Sequence, residues 1–275
     1  MDLTIHQQIL LMVFGLALVL GAVGQKTRFC TMGAVSDWVN MGDTGRMRSW
    51  VFAMALALAG VVVLEASGVV KLGTDTFPPY RTPQFAWLRY LVGGLLFGVG
   101  MTLASGCGNR TLVRIGGGNV KSLTVLAVAA VCAYLMLWTP LYEKAFAPWV
   151  QATTINLTQH GMPNQALGSV VTGMFGMAPS LTFNSIVSVV VALGMFVWVF
   201  MSRDFRDNFD NVFSGAVVGL AVVAAWYLTG GPLGQAWKEY AEMATEIPSR
   251  AQTKSFTFIS PMGDRLRYLM APMTF

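Results

Sequence analysis

The sequence contains few charged residues. Of its 275 residues, 18 are Lys or Arg and 13 are Asp or Glu, so 11% are charged, while 55% are hydrophobic and the mean hydropathy is +0.58. In a soluble domain roughly a quarter of the residues are charged. The composition therefore excludes an ordinary soluble domain and predicts an all-α integral membrane protein. The net charge of +5 fits Lys and Arg in cytoplasmic loops, and we expect no nucleic-acid partner.

Cysteine and histidine are also scarce. There are three cysteines, and a small, odd number does not fit a disulfide framework. The two histidines, His6 and His160, lie far apart in the sequence. The sequence has no CxxC or HExxH motif, no cluster of carboxylates and no glycine loop with P-loop spacing. We therefore expect no metal site and no cofactor. No obvious general acid or base stands beside a cysteine, which disfavours an enzyme.

Six apolar runs approach or reach the roughly 20 residues that an α-helix needs to cross the hydrocarbon core. The first is somewhat short, and it is expected to remain as a helix because the N-terminal residues lack a signal-peptide pattern. The predicted spans are Ile9 to Gly24, Ser49 to Val70, Ala86 to Ser105, Ser122 to Thr139, Phe183 to Ser202 and Asn211 to Thr229.

Two segments between these spans, residues 25–48 and 104–121, are too apolar for solvated loops and too interrupted to span. Irregular backbone at membrane depth is tolerated only inside the protein or along a water-filled cavity, and glycine allows unusual dihedral angles there. We therefore predict that each segment is a re-entrant loop followed by a short half-helix. The alternative is two ordinary cytoplasmic loops.

The two segments look like copies of one unit. Cys30 and Cys107 are 77 residues apart, and in each segment a basic turn and a serine-led span follow the cysteine. Transporters are commonly built from such repeats, although chance similarity between glycine-rich loops is the alternative. Within a single multi-pass domain, 1–275, we predict repeat units at about 9–70 and 86–139, a partial third unit at about 211–275 around "TFISPMG", and an interfacial segment at about 140–182.

The residues around the two cysteines are the candidates for binding. A cysteine at a helix N-terminus near a cation is favoured as thiolate, and a thiol is a soft, polarizable contact that suits a sulfur-containing ligand. Nearby cations at membrane depth are costly and usually functional. Cys132 is interpreted as a small buried apolar residue, and Arg46, Arg48, Arg203 and Arg206 as ordinary flanking charges. The candidate substrate-binding residues are Cys30, Cys107, Arg28, Asn109 and Arg110.

The two cysteine motifs resemble those of the YeeE/YedE family of sulfur-transport membrane proteins, which have a role in thiosulfate uptake. The similar stretches are "TRFCTMGAVSDWVNMGDTGRMRSW" and "GMTLASGCGNRTLVRIGGGNVKSL", and "SFTFISPMGDRLRYL" is similar to a later segment of the family. The resemblance implies an all-helical multi-pass transporter with re-entrant helices in the inner membrane of a bacterial cell. It also implies that Cys30 and Cys107 line a path along which thiosulfate passes by S–H···S contacts, without a covalent step.

One departure from the family concerns the end of the sequence. Longer members carry a further apolar stretch with another Gly-Cys motif, and this sequence shows nothing like it. We therefore expect either a truncated or split form of a longer protein, or a last unit that another chain supplies. Two alternatives to a permease stay open. One is a membrane sulfurtransferase or redox protein that carries a persulfide on Cys30 or Cys107, and the other is a non-transporting subunit that docks a soluble sulfur carrier.

Overall fold

A computed structural model describes residues 3–70, 81–176, 180–243 and 251–270. The helices are, in chain order, α1 (Ile5–Thr27), α2 (Thr31–Met41), α3 (Gly45–Ala66), α4 (Trp87–Leu103), α5 (Gly108–Gly116), α6 (Val120–Trp138), α7 (Leu141–Ala145), α8 (Ala147–Ala152), α9 (Leu167–Met174), α10 (Leu181–Phe200), α11 (Arg203–Asp207), α12 (Phe209–Gly230), α13 (Pro232–Met243) and α14 (Ser260–Met270). A 3-10 helix covers Leu157–His160, and two short strands, β1 (Gln84–Phe85) and β2 (Ile155–Asn156), pair with each other.

Six helical stretches in the described part of the chain are long and apolar enough to cross a membrane, which confirms the predicted all-α, multi-pass membrane protein. They contain α1, α3, α4, α6, α10 and α12. The first helix is longer than the predicted run from Ile9 to Gly24. It begins at Ile5 because Thr4 and Gln7 form a capping box, in which each side chain binds the other residue's backbone N–H.

The first of two compact units consists of residues 1–29, 34–84 and 156–256. Its centre is the contact between α3 and α12, where small residues let the two backbones approach. A Cβ at Gly219 would lie 2.7 Å from the Cβ of Leu56 and 2.9 Å from the carbonyl oxygen of Ala53. A Cβ at Gly60 would likewise collide with Val223. Close approach at glycine is the usual way to gain van der Waals contact between helices in lipid, where no hydrophobic driving force joins them.

Aromatic side chains fill the end of the first unit where α3 meets α10. Phe52 is buried and makes edge-to-face contacts with Phe196, Phe200 and Phe205. Arg48 lies over the ring of Trp198 and donates hydrogen bonds to carbonyl groups of α10. The flanking arginine therefore also joins two spans.

The second unit consists of residues 30–33, 85–155 and 257–275. Helix α6 is central to this unit, because both α5 and α14 pack against it. The indole Nε1 of Trp138 donates to Asp264 Oδ1 at 3.0 Å, and the guanidinium of Arg267 lies 3.7 Å from the centroid of the same ring. Gly263 faces the backbone of Ala133, so α14 approaches α6 closely. These contacts fix α14 on α6.

The segment predicted to be interfacial, 140–182, holds the short helices α7, α8 and α9. Its aromatic side chains stack on one another, Tyr142 on Phe146 and Phe146 against Trp149. Residues 177–179 of this segment lie outside the described part of the chain, as do 244–250 and 271–275 of the predicted third unit. The interfacial position and the unit boundaries stay predictions.

The α3–α12 contact gives a test of the fold. We expect Gly219→Leu to lower the free energy of unfolding by about 1–3 kcal/mol, the usual cost of overpacking, because its side chain collides with the backbone of α3. The measurement is thermal unfolding of the detergent-purified protein, followed by loss of the monodisperse peak in size exclusion. Gly15→Leu is the matched control, since a Cβ there has no neighbour within 4 Å. Equal losses in both variants would contradict the packing described.

Candidate functional site: two thiols at half-helix ends

Cys30 and Cys107 each stand at the start of a short helix that follows a long apolar one. Cys30 immediately precedes α2, and Cys107 is the N-cap residue of α5. In each case the long helix and the short helix form one apolar stretch that is interrupted near the cysteine, Ile5–Met41 in the first and Trp87–Gly116 in the second. The first backbone N–H groups of a helix lack intrahelical partners, so each cysteine lies beside donors that its sulfur can accept from.

The two interruptions share an unusual backbone. Arg28 and Ser105 each lie two residues before a cysteine, with φ angles of 53° and 57°, and they are the non-glycine residues with positive φ in the described part of the chain. A left-handed conformation costs a residue with a Cβ about 1–2 kcal/mol. After each half-helix a glycine with positive φ follows, Gly42 at 71° and Gly118 at 85°. The segments that resemble each other in sequence therefore also turn at corresponding positions.

The second unit brings Cys30, Cys107 and Arg110 together. The guanidinium Nη1 of Arg110 donates to the sulfur of Cys30, with an N–S distance of 3.7 Å, and the thiols of Cys30 and Cys107 interact with each other. The backbone N–H groups of Asn109 and Arg110 interact with the sulfur of Cys107, and that of Gly33 with the sulfur of Cys30. Arg110 thus contacts both cysteines, one through its side chain and the other through its backbone.

The loop before Cys107 is tied to the helix after it. Arg114, one turn beyond Arg110, donates from Nη1 to the carbonyl oxygen of Ser105 at 2.9 Å, and Thr111 donates to the carbonyl oxygen of Cys107 at 3.1 Å. Thr111 is buried. The Ser105 carbonyl thus has a side-chain partner, and the Cys107 carbonyl accepts from both the backbone N–H and the hydroxyl of Thr111.

The three cysteines differ in burial. Cys30 is buried, with 5% of its surface exposed, and Cys107 is half-buried. Cys132 is exposed, so the prediction that it is a small buried residue is wrong. The reason is its position on α6, because it lies on the face that borders a cavity instead of the face that packs against α14.

A cavity of about 690 Å³ lies in the second unit, between the residues of α4 and those of α6. Cys107 and Gly108 close one end of it together with Ile259, and Cys132 lies on its wall. The residues recorded around it in the described chain include no charged side chain. The thiol of Cys107 therefore borders an apolar space on one side and the buried Cys30 on another.

The remaining candidate residues have other surroundings. Arg28 is the C-cap of α1 and belongs to the first unit, and Asn109 lies in the first turn of α5. Arg46 forms an ion pair with Asp37 at 3.2 Å, and Glu65 binds Arg81 through both carboxylate oxygens at 2.5 and 2.9 Å. These charged residues hold segments of the first unit together.

Ile259 and Gly108 are neighbours of Cys107 that sequence reasoning missed. Ile259 precedes α14 as Cys30 precedes α2, and a Cβ at Gly108 would lie 2.8 Å from its Cδ1. The stretch "TFISPMG", around which the partial third unit was predicted, contains Ile259. That stretch was the available signal, but an isoleucine carries no chemistry that marks it as a site residue.

The described residues offer two chemical functions at one place. The thiols are soft donors, and the guanidinium with the helix N-termini is a hard cationic donor set. No group of three or more His, Cys, Asp or Glu side chains suited to a metal ion occurs among residues 3–70, 81–176, 180–243 and 251–270. The arrangement is suited to an anion that also carries a soft atom.

Comparison with known proteins supplies the family. A family model described as "Sulphur transport" matches residues 26–274. The chain belongs to the sulphur transport family. This confirms the resemblance seen in the two cysteine motifs, and the matched region contains both half-helices and α14.

Several curated proteins are similar to this sulphur transport family member. The chain is 22% identical over 244 residues to "Thiosulfate transporter TsuA" of Spirochaeta thermophila, a match that covers 78% of this chain and 68% of that protein. It is 30% identical over 117 residues to "Thiosulfate transporter TsuA" of Escherichia coli, covering 42% of this chain and 31% of that protein. A third match, to "Probable transporter YedE" of Escherichia coli, is 28% identical over 130 residues. The chain thus matches about a third of each Escherichia coli protein's length.

The burial of the thiols gives a test of the site geometry. We expect N-ethylmaleimide to modify Cys107 before Cys30 in the purified protein, because only 5% of the Cys30 surface is exposed. Peptide mass spectrometry after timed quenching measures both rates, with urea-unfolded protein as the control in which both cysteines react. Modification of Cys30 first would contradict the geometry.

Proposed function

We propose that the chain is a permease that carries thiosulfate, or a closely related small sulfur anion, across the inner membrane of a bacterial cell. The observation that carries the proposal is the cluster of Cys30, Cys107 and Arg110 at the ends of two half-helices. The names of the relatives, which are called thiosulfate transporters, support the same substrate. The segments that hold the cluster are assigned as the re-entrant part of each repeat.

The two thiols suit the terminal sulfur of thiosulfate. A neutral thiol donates only weakly, and its sulfur is large and polarizable, so it interacts better with another soft sulfur than with a hard oxygen. In the proposed mechanism the terminal sulfur of the substrate accepts S–H···S contacts from Cys107 and then Cys30. No bond to sulfur forms or breaks. Weak contacts at successive positions allow the anion to bind and then to leave, as conduction requires.

The cationic donors suit the oxygen-bearing end of the same anion. Arg110 donates to the thiol of Cys30 at an N–S distance of 3.7 Å, which is a weak bond. A hydrogen bond from a guanidinium to an anionic oxygen is shorter and roughly twice as strong as a neutral one, so the substrate displaces the thiol from Arg110. Helix N-termini favour anions in the same way. We assign Asn109 to the same binding region, from its position in the first turn of α5. Arg28 stays a candidate only from its place two residues before Cys30 in the sequence.

A membrane-bound persulfide carrier is the second candidate, and the contact between two thiols favours it. In a protein of that kind, the thiolate of Cys30 or Cys107 attacks the terminal sulfur, the S–S bond of thiosulfate breaks and sulfite leaves, so that the cysteine retains the sulfur as a persulfide. A thiosulfate permease of the proposed kind releases the anion intact. A third arrangement, in which the chain docks a soluble sulfur-carrier protein, requires no thiol at all.

Substitution of the cysteines tests the pathway. We expect Cys30→Ala and Cys107→Ala each to abolish most growth of cells that depend on this protein for sulfur from thiosulfate, because each removes a soft contact that no neighbour replaces. Cys132→Ala is the control for loss of a thiol as such, since Cys132 is not part of the Arg110 cluster. Growth and uptake of labelled thiosulfate are measured at matched protein levels in the membrane. Unchanged uptake in both pathway variants overturns the proposal.

Arg110 has its own quantitative prediction. A hydrogen bond to a charged group contributes about 1.5–3 kcal/mol, so Arg110→Gln should raise the concentration for half-maximal uptake by roughly tenfold to a hundredfold. Arg110→Lys keeps the charge but not the planar fork of donors. Its concentration for half-maximal uptake should lie between those of Arg110→Gln and the original protein. Arg203→Gln, in the first unit, is the control for a general loss of positive charge. An unaltered concentration dependence in Arg110→Gln is the result that rules out this role.

A further inference from the structure

The start of α14 forms an apolar wall beside Cys107. Ile259 immediately precedes α14, is 40% exposed and borders the same cavity as Cys107. Its Cδ1 and the Cβ of Phe258 lie against Gly108, where a Cβ would be 2.8 and 3.4 Å from them. Ile259 therefore fits in this position only because residue 108 has no side chain.

Helix α5 places this wall and the cationic group on different faces. Gly108 and Arg110 are two residues apart, which corresponds to a rotation of about 200° around an α-helix. The first faces Ile259, and the second donates to Cys30. Cys107 thus directly precedes the residue that faces Ile259, and it lies three residues before the one that binds Cys30.

The wall is held in place by its own helix. Asp264 and Arg267 of α14 bind Trp138 of α6, and Gly263 approaches the α6 backbone at Ala133. Isoleucine is also branched at Cβ, so its χ1 angle has few alternatives. A rigid helix and a stiff side chain together keep an aliphatic group at this point beside Cys107.

We propose that Ile259, seated on Gly108, is a specificity-determining residue that narrows the access to Cys107 to an apolar constriction. The proposal rests on the proposed transport of thiosulfate. Hydrophobic constrictions exclude hydrated ions because water leaves them easily. A strongly hydrated dianion such as sulfate loses its water here without a replacement, whereas thiosulfate meets the constriction with its weakly hydrated sulfur and finds the thiols next to it. Ile259 acts on substrate choice, and Arg110 and the cysteines act on binding.

The first test measures access to Cys107 without transport. In a Cys132→Ala background, the purified full chain reacts with a cationic methanethiosulfonate reagent, and mass spectrometry follows modification of Cys107. We expect Ile259→Ala to raise the rate several-fold. Ile115→Ala, in the same half-helix α5, is the matched control and should leave the rate unchanged. Equal rates in Ile259→Ala and the background overturn the proposal, and so does an equal rise in Ile115→Ala, which indicates general loosening.

A second pair of variants covers the case in which Ile259→Ala fails to fold. Gly108→Ala introduces the Cβ that collides with Cδ1 of Ile259 and should change the Cys107 rate at least several-fold. Ile259→Val lacks Cδ1, so adding it to Gly108→Ala should return the rate towards that of the background. An unchanged rate of Cys107 modification in Gly108→Ala overturns the contact on which the constriction depends. So does a changed rate that stays the same when Ile259→Val is added.

The selectivity test separates this inference from the proposed function. In thiosulfate uptake by membrane vesicles, excess sulfate should compete several-fold more strongly against Ile259→Ala than against the original protein. If Cys107 in Ile259→Ala is modified faster but sulfate competes no more strongly than against the original protein, Ile259 covers the thiol without selecting the substrate. That result overturns the specificity role. Absence of any uptake by the original protein instead refutes the proposed function, while the labelling rates still decide whether Ile259 narrows the access.

Discussion

Backbone groups that an interrupted helix leaves open need hydrogen-bond partners, and this requirement organises the cysteine segments. Lipid offers no donors or acceptors, so an interrupted helix survives at membrane depth only where other parts of the protein surround it. The chain interrupts two long apolar helices, near Cys30 and Cys107, and supplies partners locally. Arg114 binds the Ser105 carbonyl group and Thr111 binds that of Cys107. The N–H groups at the starts of the two short helices interact with the thiols instead.

The chemistry of the site follows from that geometry. Helix starts carry partial positive charge, and Arg110 adds a full one close to Cys30. A thiol placed there differs from a thiol in a packed core because it faces donors that attract an anion. The residues that line the neighbouring cavity are largely apolar, and Ile259 is one of them, together with Cys107. Soft, cationic and apolar groups therefore meet within one unit of the fold, and each suits a different part or property of a small sulfur anion.

Much of the fold is readable from the sequence, because it depends on local properties. Spans are continuous apolar runs, and their number follows from length and hydropathy. The start of α1 at Ile5 was missed because a capping box of polar residues sets it. The cysteine segments were recognised from glycine, a basic residue and a thiol in a repeated order. The structure pairs Cys30 with Arg110, 80 residues away in the chain.

The rest of the site depends on contacts that no local pattern encodes. The contact of Ile259 with Gly108 joins residues from distant parts of the chain. Isoleucine and glycine are both common in membrane proteins and carry no functional signal by themselves. The exposure of Cys132 depends on which face of α6 packs against α14, and the run "VAAVCAYLM" is apolar on every face. Hydropathy predicts that such a helix spans the membrane, but it does not predict which side faces a cavity.

The most direct test of the central claim is whether thiosulfate passes the thiol cluster intact. The purified chain is placed in proteoliposomes and given two batches of thiosulfate, one with labelled sulfur at the terminal position and one with labelled sulfur at the oxygen-bearing position. Non-covalent passage past Cys30 and Cys107 predicts that both labels enter at the same rate and that neither stays on the protein. Entry of one label without the other, or terminal sulfur retained on a cysteine, would contradict the account.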